Sequence, residues 1–187
     1  SPIQPIFRDM VFNKKVLDIG AYRGLYCIKA LECGAKSATA FEISAELVNV
    51  INKIKVNYFF NDLKVIKGDF YNNNDFKKIL NGDYDTIFLF GIIHHLLRLG
   101  IQQKLLYSFT ELFNRISKFS KYGVIVEFSI PTEDSLNLKE LVPYREEFSQ
   151  KSFENALQSN FRHWINLGKC DYKSGNKYGR FMYYAVK

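Results

Sequence analysis

Cysteine is scarce in this chain. There are three among 187 residues, Cys27, Cys33 and Cys170, and no C-x-x-C pair. An odd count without paired spacing argues against a disulfide framework and for thiols packed in a core in a reducing compartment. Histidine is equally sparse: His94, His95 and His163. Neighbours at i and i+1 on a helix point in different directions, so no metal site is expected. No apolar run approaches the roughly 18 residues that cross a bilayer, so no membrane partner is expected. The opening SPIQPIFRDMVF lacks the basic, apolar and small-residue order of a signal peptide, and a cytoplasmic location is expected. It also lacks a starting Met, which implies a processed chain or a piece excised from a longer one. Internal repeats and low-complexity runs are missing too; NNND at 72–75 reads as a polar turn.

Hydrophobic residues make up 47% and charged residues 24%, a globular balance that excludes disorder. The length suits one domain with a sizeable core. Apolar stretches alternate between strand-like and helix-like, which predicts an α/β, doubly wound, mainly parallel seven-stranded sheet with helices on both faces. Strands are expected at 15–19, 37–41, 63–67, 85–90, 122–130, 161–168 and 179–187. Helices are expected at 23–33, stopped by Gly34, at 44–57, capped by Ser44, and at 101–119 and 149–160. The loop between the last two strands is too short for a parallel crossover, so that pair should be antiparallel. Net charge is +7, and residues 162–187 alone supply +5: Arg162, Lys169, Lys173, Lys177, Arg180 and Lys187 stand against Asp171. Such a tail either steers a phosphate-bearing partner or is a solvated lysine-rich surface.

Open α/β sheets bind ligands beyond the carboxyl ends of their strands. After the first strand comes VLDIGAYRG, with Asp18, Gly20 and Gly24 at a helix start, where backbone N–H groups face a ligand. The second ends on Glu42, 22 residues past Gly20, a spacing at which a carboxylate can accept ribose hydroxyls. The third leads into GDF: Asp69 can accept an exocyclic amine and Phe70 can pack on a base. The fourth leads into GIIHHL, where Gly91 permits close backbone approach. Singly, Glu42 can be an exposed loop acid and Gly68–Asp69 a simple turn. Together they read as one adenosine-type pocket. A dinucleotide requires G-x-G-x-x-G, and Tyr22 stands where the middle glycine would meet a pyrophosphate. A Tyr-x-x-x-Lys pair occurs only as Tyr183–Lys187, in a terminal strand. S-adenosylmethionine has no phosphate, and its zwitterionic end suits Asp18 and the turn.

VLDIGAYRG, AFEIS, GDF and YDTIFLFGIIHHL resemble, in order, the motifs of class I S-adenosylmethionine-dependent methyltransferases, and the closing RFMYYAVK resembles that family's last antiparallel strand. The glycine turn is most similar to the D-x-G-A-x-x-G variant of FkbM-type enzymes. The resemblance implies that Asp18, Gly20, Ala21, Tyr22 and Gly24 line the methionine end of the cofactor. It implies that Glu42 binds the ribose and Ile43 flanks the adenine, that Asp69 takes the adenine amine beside Phe70, and that Gly91 and Ile92 border the methyl donor. It divides the single domain into a 1–12 extension, a cofactor-binding half at 13–130, and substrate-side and C-terminal strands at 131–187.

For transfer, orientation supplies much of the acceleration, and a base is needed only where the acceptor must lose a proton. His95, ahead of His94, is the candidate base. Glu127 and Glu133 can also face substrate. The expected acceptor is an O or N atom of a small molecule or sugar. The segment around GIIHHL also resembles wobble-uridine tRNA methyl and carboxymethyl transferases, which carry Tyr-His where this chain has His-His. With Phe161, Trp164, Tyr172, Tyr178 and Phe181 interleaved in the basic tail, RNA is an alternative acceptor. A cofactor-binding subunit or scaffold without catalysis is a third reading. Few residues remain for a lid, which implies a partner domain or subunit in acceptor binding.

Overall fold

The computed structural model describes residues 3–80, 82–129, 140–169 and 180–187, without the side chains of 3–6. Glu133, Cys170, Tyr172 and Tyr178 lie outside the described residues. The chain forms two compact units, one comprising 1–90 and 119–122, the other 91–118 and 123–187.

In the first unit, α1 (Ile3–Val11) leads into β1 (Lys15–Ile19), α2 (Leu25–Glu32), β2 (Ser37–Glu42), α3 (Ala45–Asn57), β3 (Leu63–Lys67), α4 (Asn73–Leu80) and β4 (Tyr84–Leu89). β1 pairs in parallel with β2 (Leu17 opposite Thr39) and with β4 (Leu17 opposite Ile87), and β2 pairs in parallel with β3. β1 and β2 are almost wholly buried, as the near-continuous apolar runs of parallel strands require. Cys27, Ala38, Ala40, Ile51 and Leu63 pack as one cluster, where the small alanines let α2 and α3 approach the sheet. Ser44 caps α3 as expected: its Oγ accepts the Leu47 N–H at 3.3 Å.

The second unit holds α5 (Ile93–Gln102), α6 (Phe109–Ser117), most of β5 (Ser120–Ser129), a 3-10 helix (Val142–Phe148), α7 (Gln150–Asn160), β6 (His163–Lys169) and β7 (Arg180–Val186). β7 runs antiparallel to β5 and to β6, as the short connection demanded. The full order is β3-β2-β1-β4-β5-β7-β6, seven strands of which β7 alone is reversed. Aromatic rings fill this unit's interior. Phe153 meets Phe128 at 4.6 Å, Tyr183 at 5.0 Å, Phe109 at 5.4 Å and Phe113 at 5.6 Å between centroids. Burying each such ring contributes roughly 1.5–3 kcal/mol.

Three expectations change. The expected 101–119 helix takes in only the last two residues of α5 and then α6, separated where Lys104 turns to φ 57 and Ser108 starts α6 by accepting the Glu111 N–H at 3.2 Å. The polar turn at 72–75 begins α4, because Asn72 Oδ1 accepts the N–H groups of Asn74 and Asp75 at 3.0 and 3.2 Å. Residues expected as an N-terminal extension contain α1, and the Met10 carbonyl accepts a hydrogen bond from the buried Thr86 hydroxyl at 3.1 Å.

Candidate functional site

The end of β1 delivers Asp18 into the interior, where it is 2% exposed. Its hydrogen bond among the described residues comes from the Cys27 thiol, a weak donor at 3.8 Å. Burial pushes the carboxyl up to about 8, the thiol pulls it back slightly, and the charge of Glu42 adds to the rise. Cys27 is pushed well above its usual value by burial and by Asp18, which favours the protonated thiol. A buried carboxyl so poorly served has strong capacity for a cationic N–H donor.

Gly20 N–H donates to the Phe41 carbonyl at 2.9 Å and Gly24 N–H to the Ala21 carbonyl at 2.7 Å, closing the turn that starts α2. Gly20, Tyr22 and Gly24 all have left-handed backbones, with φ 71, 53 and 74. Tyr22 therefore holds a conformation that suits glycine, at a cost of roughly 1–2 kcal/mol. What holds it there is Glu42: Oε2 accepts the Tyr22 N–H at 2.8 Å, and Oε1 accepts the Ser44 N–H at 2.9 Å. Glu42 is 6% exposed and ties the β1 turn to the start of α3. Sequence spacing found the residue but not this bracing role. Each oxygen keeps a further lone pair for a ligand hydroxyl. The Tyr22 side chain is 59% exposed, with the Arg23 guanidinium 5.3 Å from its ring, so it leaves the turn open rather than filling it. Ala21 is buried in the core beneath.

Ile43 follows Glu42 and is 61% exposed, an apolar surface next to the acid. Asp69 is half-buried; its Oδ1 accepts the Tyr71 N–H at 2.9 Å, and its own N–H donates to Asp75 Oδ2 at 3.1 Å. Phe70, expected beside a base, is instead buried edge-on between Tyr71 (5.2 Å) and Phe76 (5.3 Å). Its ring serves core packing. Asp18, Gly20, Ala21, Tyr22, Gly24, Glu42, Ile43, Asp69 and Phe70 thus all lie in the first unit.

Gly91 and Ile92 open the second unit's α5, Gly91 at φ 64 with open space where a Cβ would stand. His94 and His95 follow, and their rings do not diverge as adjacency suggested: the centroids are 4.1 Å apart. Side chains lean toward a helix's N-terminus, so both rings converge over the first turn. His94 Nδ1 lies 3.3 Å from Ser129 Oγ, and His95 Nδ1 lies 3.0 Å from an Arg98 nitrogen. Burial is the main cause that lowers His94 to about 3, with His95, Arg98 and Arg180 adding to it; burial and then Arg98 also lower His95. Glu127 is buried and accepts from Arg180 at 2.7 Å, an ion pair that residue spacing did not reveal. Among the described residues no group of three or more His, Cys, Asp or Glu is placed to hold a metal, and no helix is long and apolar enough to cross a membrane.

Known proteins resemble the chain in sequence and fold. A family model described as a methyltransferase domain matches residues 7–182. A tRNA U34 carboxymethyltransferase of Nautilia profundicola is 35% identical over 89 residues, 44% of this chain and 26% of the relative, so the chain spans a minor part of that relative's length. A SAM-dependent methyltransferase from Aquifex aeolicus superposes with a TM-score of 0.64 at 15% identity, over 99% of this chain and 87% of that one. WbdD, in complex with a kinase inhibitor, superposes with a TM-score of 0.71 at 16% identity, over 99% of this chain and 40% of that one. At these identities the structures attest the fold, and the family match attests the membership. The chain belongs to the class I S-adenosylmethionine-dependent methyltransferase superfamily.

Proposed function

We propose that this chain transfers a methyl group from S-adenosylmethionine to an O or N atom of a small molecule or sugar. The observation that carries the reading is the buried Asp18 carboxyl beside a left-handed glycine turn braced by Glu42. The bound cofactor supplies an electrophilic methyl group on a sulfonium. Asp18 accepts hydrogen bonds from the ammonium at its methionine end, a partner that offsets the carboxylate's burial. The turn from Gly20 to Gly24 keeps its backbone accessible because Tyr22 faces outward. Glu42 accepts the ribose hydroxyls with its remaining lone pairs, Ile43 covers one face of the adenine, and Asp69 takes the exocyclic amine.

Neither histidine is assigned as a base. Arg98 only donates, so His95 Nδ1 is an acceptor already engaged, and its Nε2 carries the proton. His94, lowered to about 3, binds protons too weakly for efficient abstraction near pH 7.

Calorimetry with S-adenosylmethionine and S-adenosylhomocysteine tests the reading. Wild type binds both, and release of S-adenosylhomocysteine follows the addition of an acceptor. Glu42→Gln, which keeps one acceptor oxygen, loses about tenfold or more in affinity while remaining folded; Glu42→Ala loses more, and part of that loss comes from the unbraced turn. Unchanged affinity in both variants removes the ribose role. Binding without turnover on any acceptor favours the scaffold reading.

The tRNA reading rests on the name of the Nautilia relative and on β6, an exposed edge strand with Ile165 and Lys169 on its surface. It is the second choice because, of the described aromatics interleaved in the tail, Phe161 is buried and Trp164 and Phe181 are half-buried, the Trp164 ring packing 5.9 Å from Tyr183.

A further inference from the structure

Polar side chains from three elements of the second unit gather at the head of α5. His94, His95 and Arg98 come from α5, Ser129 ends β5, and Arg180, its register partner, starts β7. The hydrogen-bond polarity of much of this group is fixed. Because Arg98 donates to His95 Nδ1, His95 Nε2 bears its hydrogen and is a donor. The guanidinium groups of Arg98 and Arg180 only donate. Glu127 offsets the charge of Arg180 across 2.7 Å, whereas Arg98 forms no ion pair among the described residues. Burial favours the neutral form of both imidazoles. The result is a half-buried set of donors with one positive charge that no carboxylate among the described residues offsets. Such a set is satisfied by a ligand group with lone pairs and negative charge.

We propose that His94, His95, Arg98, Ser129 and Arg180 form an anion-recognition subsite, and that the methyl acceptor is a small molecule carrying an ionised carboxylate or phosphate group held there. The assignment rests on the methyltransferase reading above and names the acceptor's class. Arg98 supplies the charge and orients His95, whose Nε2–H is presented as a donor. Ser129 positions His94.

The test is a titration of the protein with sodium phosphate and, separately, sodium acetate, following the histidine ring signals by NMR, with S-adenosylmethionine calorimetry alongside. Saturable shifts of the His94 and His95 signals at millimolar anion are expected. A stronger response to phosphate marks a phosphate-bearing acceptor, and a stronger response to acetate a carboxylate. Arg98→Gln weakens the response at least tenfold, and Arg98→Lys, which keeps the charge but not the fork, restores part of it. If Arg98→Gln fails to fold, the wild-type titration still decides. Non-saturating shifts with both anions overturn the proposal, as does an unaltered response in folded Arg98→Gln. If the cofactor binds and neither anion does, this subsite fails while the methyltransferase reading stands. If the cofactor does not bind, that reading fails, and the anion titration still reports on the subsite.

Discussion

Burial moves Asp18 and His94 in opposite directions for one reason: each is held toward its neutral form. Their effects on stability against pH are therefore opposite. Asp18 rises from an ordinary 3.8 to about 8 in the folded chain, so between those values the folded state binds more protons than the unfolded one. Its contribution is fully present below about pH 4 and is lost as pH climbs through 8. Asp18→Asn, which cannot ionise, should raise Tm at pH 8 and change it little at pH 4. His94 falls from 6.5 to about 3, so its stabilisation is present above 6.5 and is lost as pH drops through that window. His94→Gln should flatten the loss of Tm between pH 6.5 and 4. Scanning calorimetry over this range checks both; equal Tm changes at all pH values would refute the assigned burial costs. At this scale the sequence points to candidate residues but not to the contacts they make. The 22-residue interval from Gly20 located Glu42, but its bonds to Tyr22 and Ser44 exist only once β1 and β2 lie side by side. Phe70 looked available because its burial depends on Phe76, a contact the strand-end pattern does not encode.

Among the elements, the turn into α2 and the turn into α5 use glycine under different packing. Gly24 sits at φ 74, and a Cβ there would meet Ile51 Cγ2 at 3.1 Å and Cγ1 at 3.3 Å. Gly91 sits at φ 64 with nothing within 4 Å. Gly24→Ala should destabilise the chain by about 2–3 kcal/mol, from a left-handed backbone cost of roughly 1–2 kcal/mol and the displacement of Ile51. Gly91→Ala should carry the backbone cost alone, about 1–2 kcal/mol. Urea midpoints separate the two, and a larger loss at Gly91 would contradict the packing described here. The strands were legible to within a few residues because parallel strands are apolar runs with sharp polar ends. Helices were less so. Apolar periodicity continues from α5 toward α6 across the break, and the stop is written in local chemistry: Lys104 at φ 57, then Ser108 and Glu111 in an S-x-x-E capping pattern. Asn72 ahead of α4 is the same kind of signal, a side-chain oxygen meeting the first free N–H groups, hidden inside a run that reads as a turn.

For the molecule as a whole, the net charge of +7 bears on the choice between a small acceptor and RNA. Charge of this size attracts any polyanion, so tRNA binding at low salt is expected under both readings. The readings separate in what binding does. Six cationic residues between 162 and 187 set the scale of the electrostatic contribution. If all six met phosphates, affinity would fall about 10³-fold between 50 and 200 mM salt. Cofactor affinity should change far less, because Asp18 and Glu42 are buried and screened little by salt. WbdD, of which the chain covers 40%, does not decide the matter, since it shares the fold at low identity. With unmodified tRNA offered beside phosphate- and carboxylate-bearing small molecules, S-adenosylhomocysteine release should follow the small anions and persist at 200 mM salt. The tRNA should bind, dissociate with salt and stimulate no release. Release driven by tRNA and extinguished in parallel with its binding would transfer the assignment to the nucleic-acid reading and make β6 and the basic tail the acceptor surface.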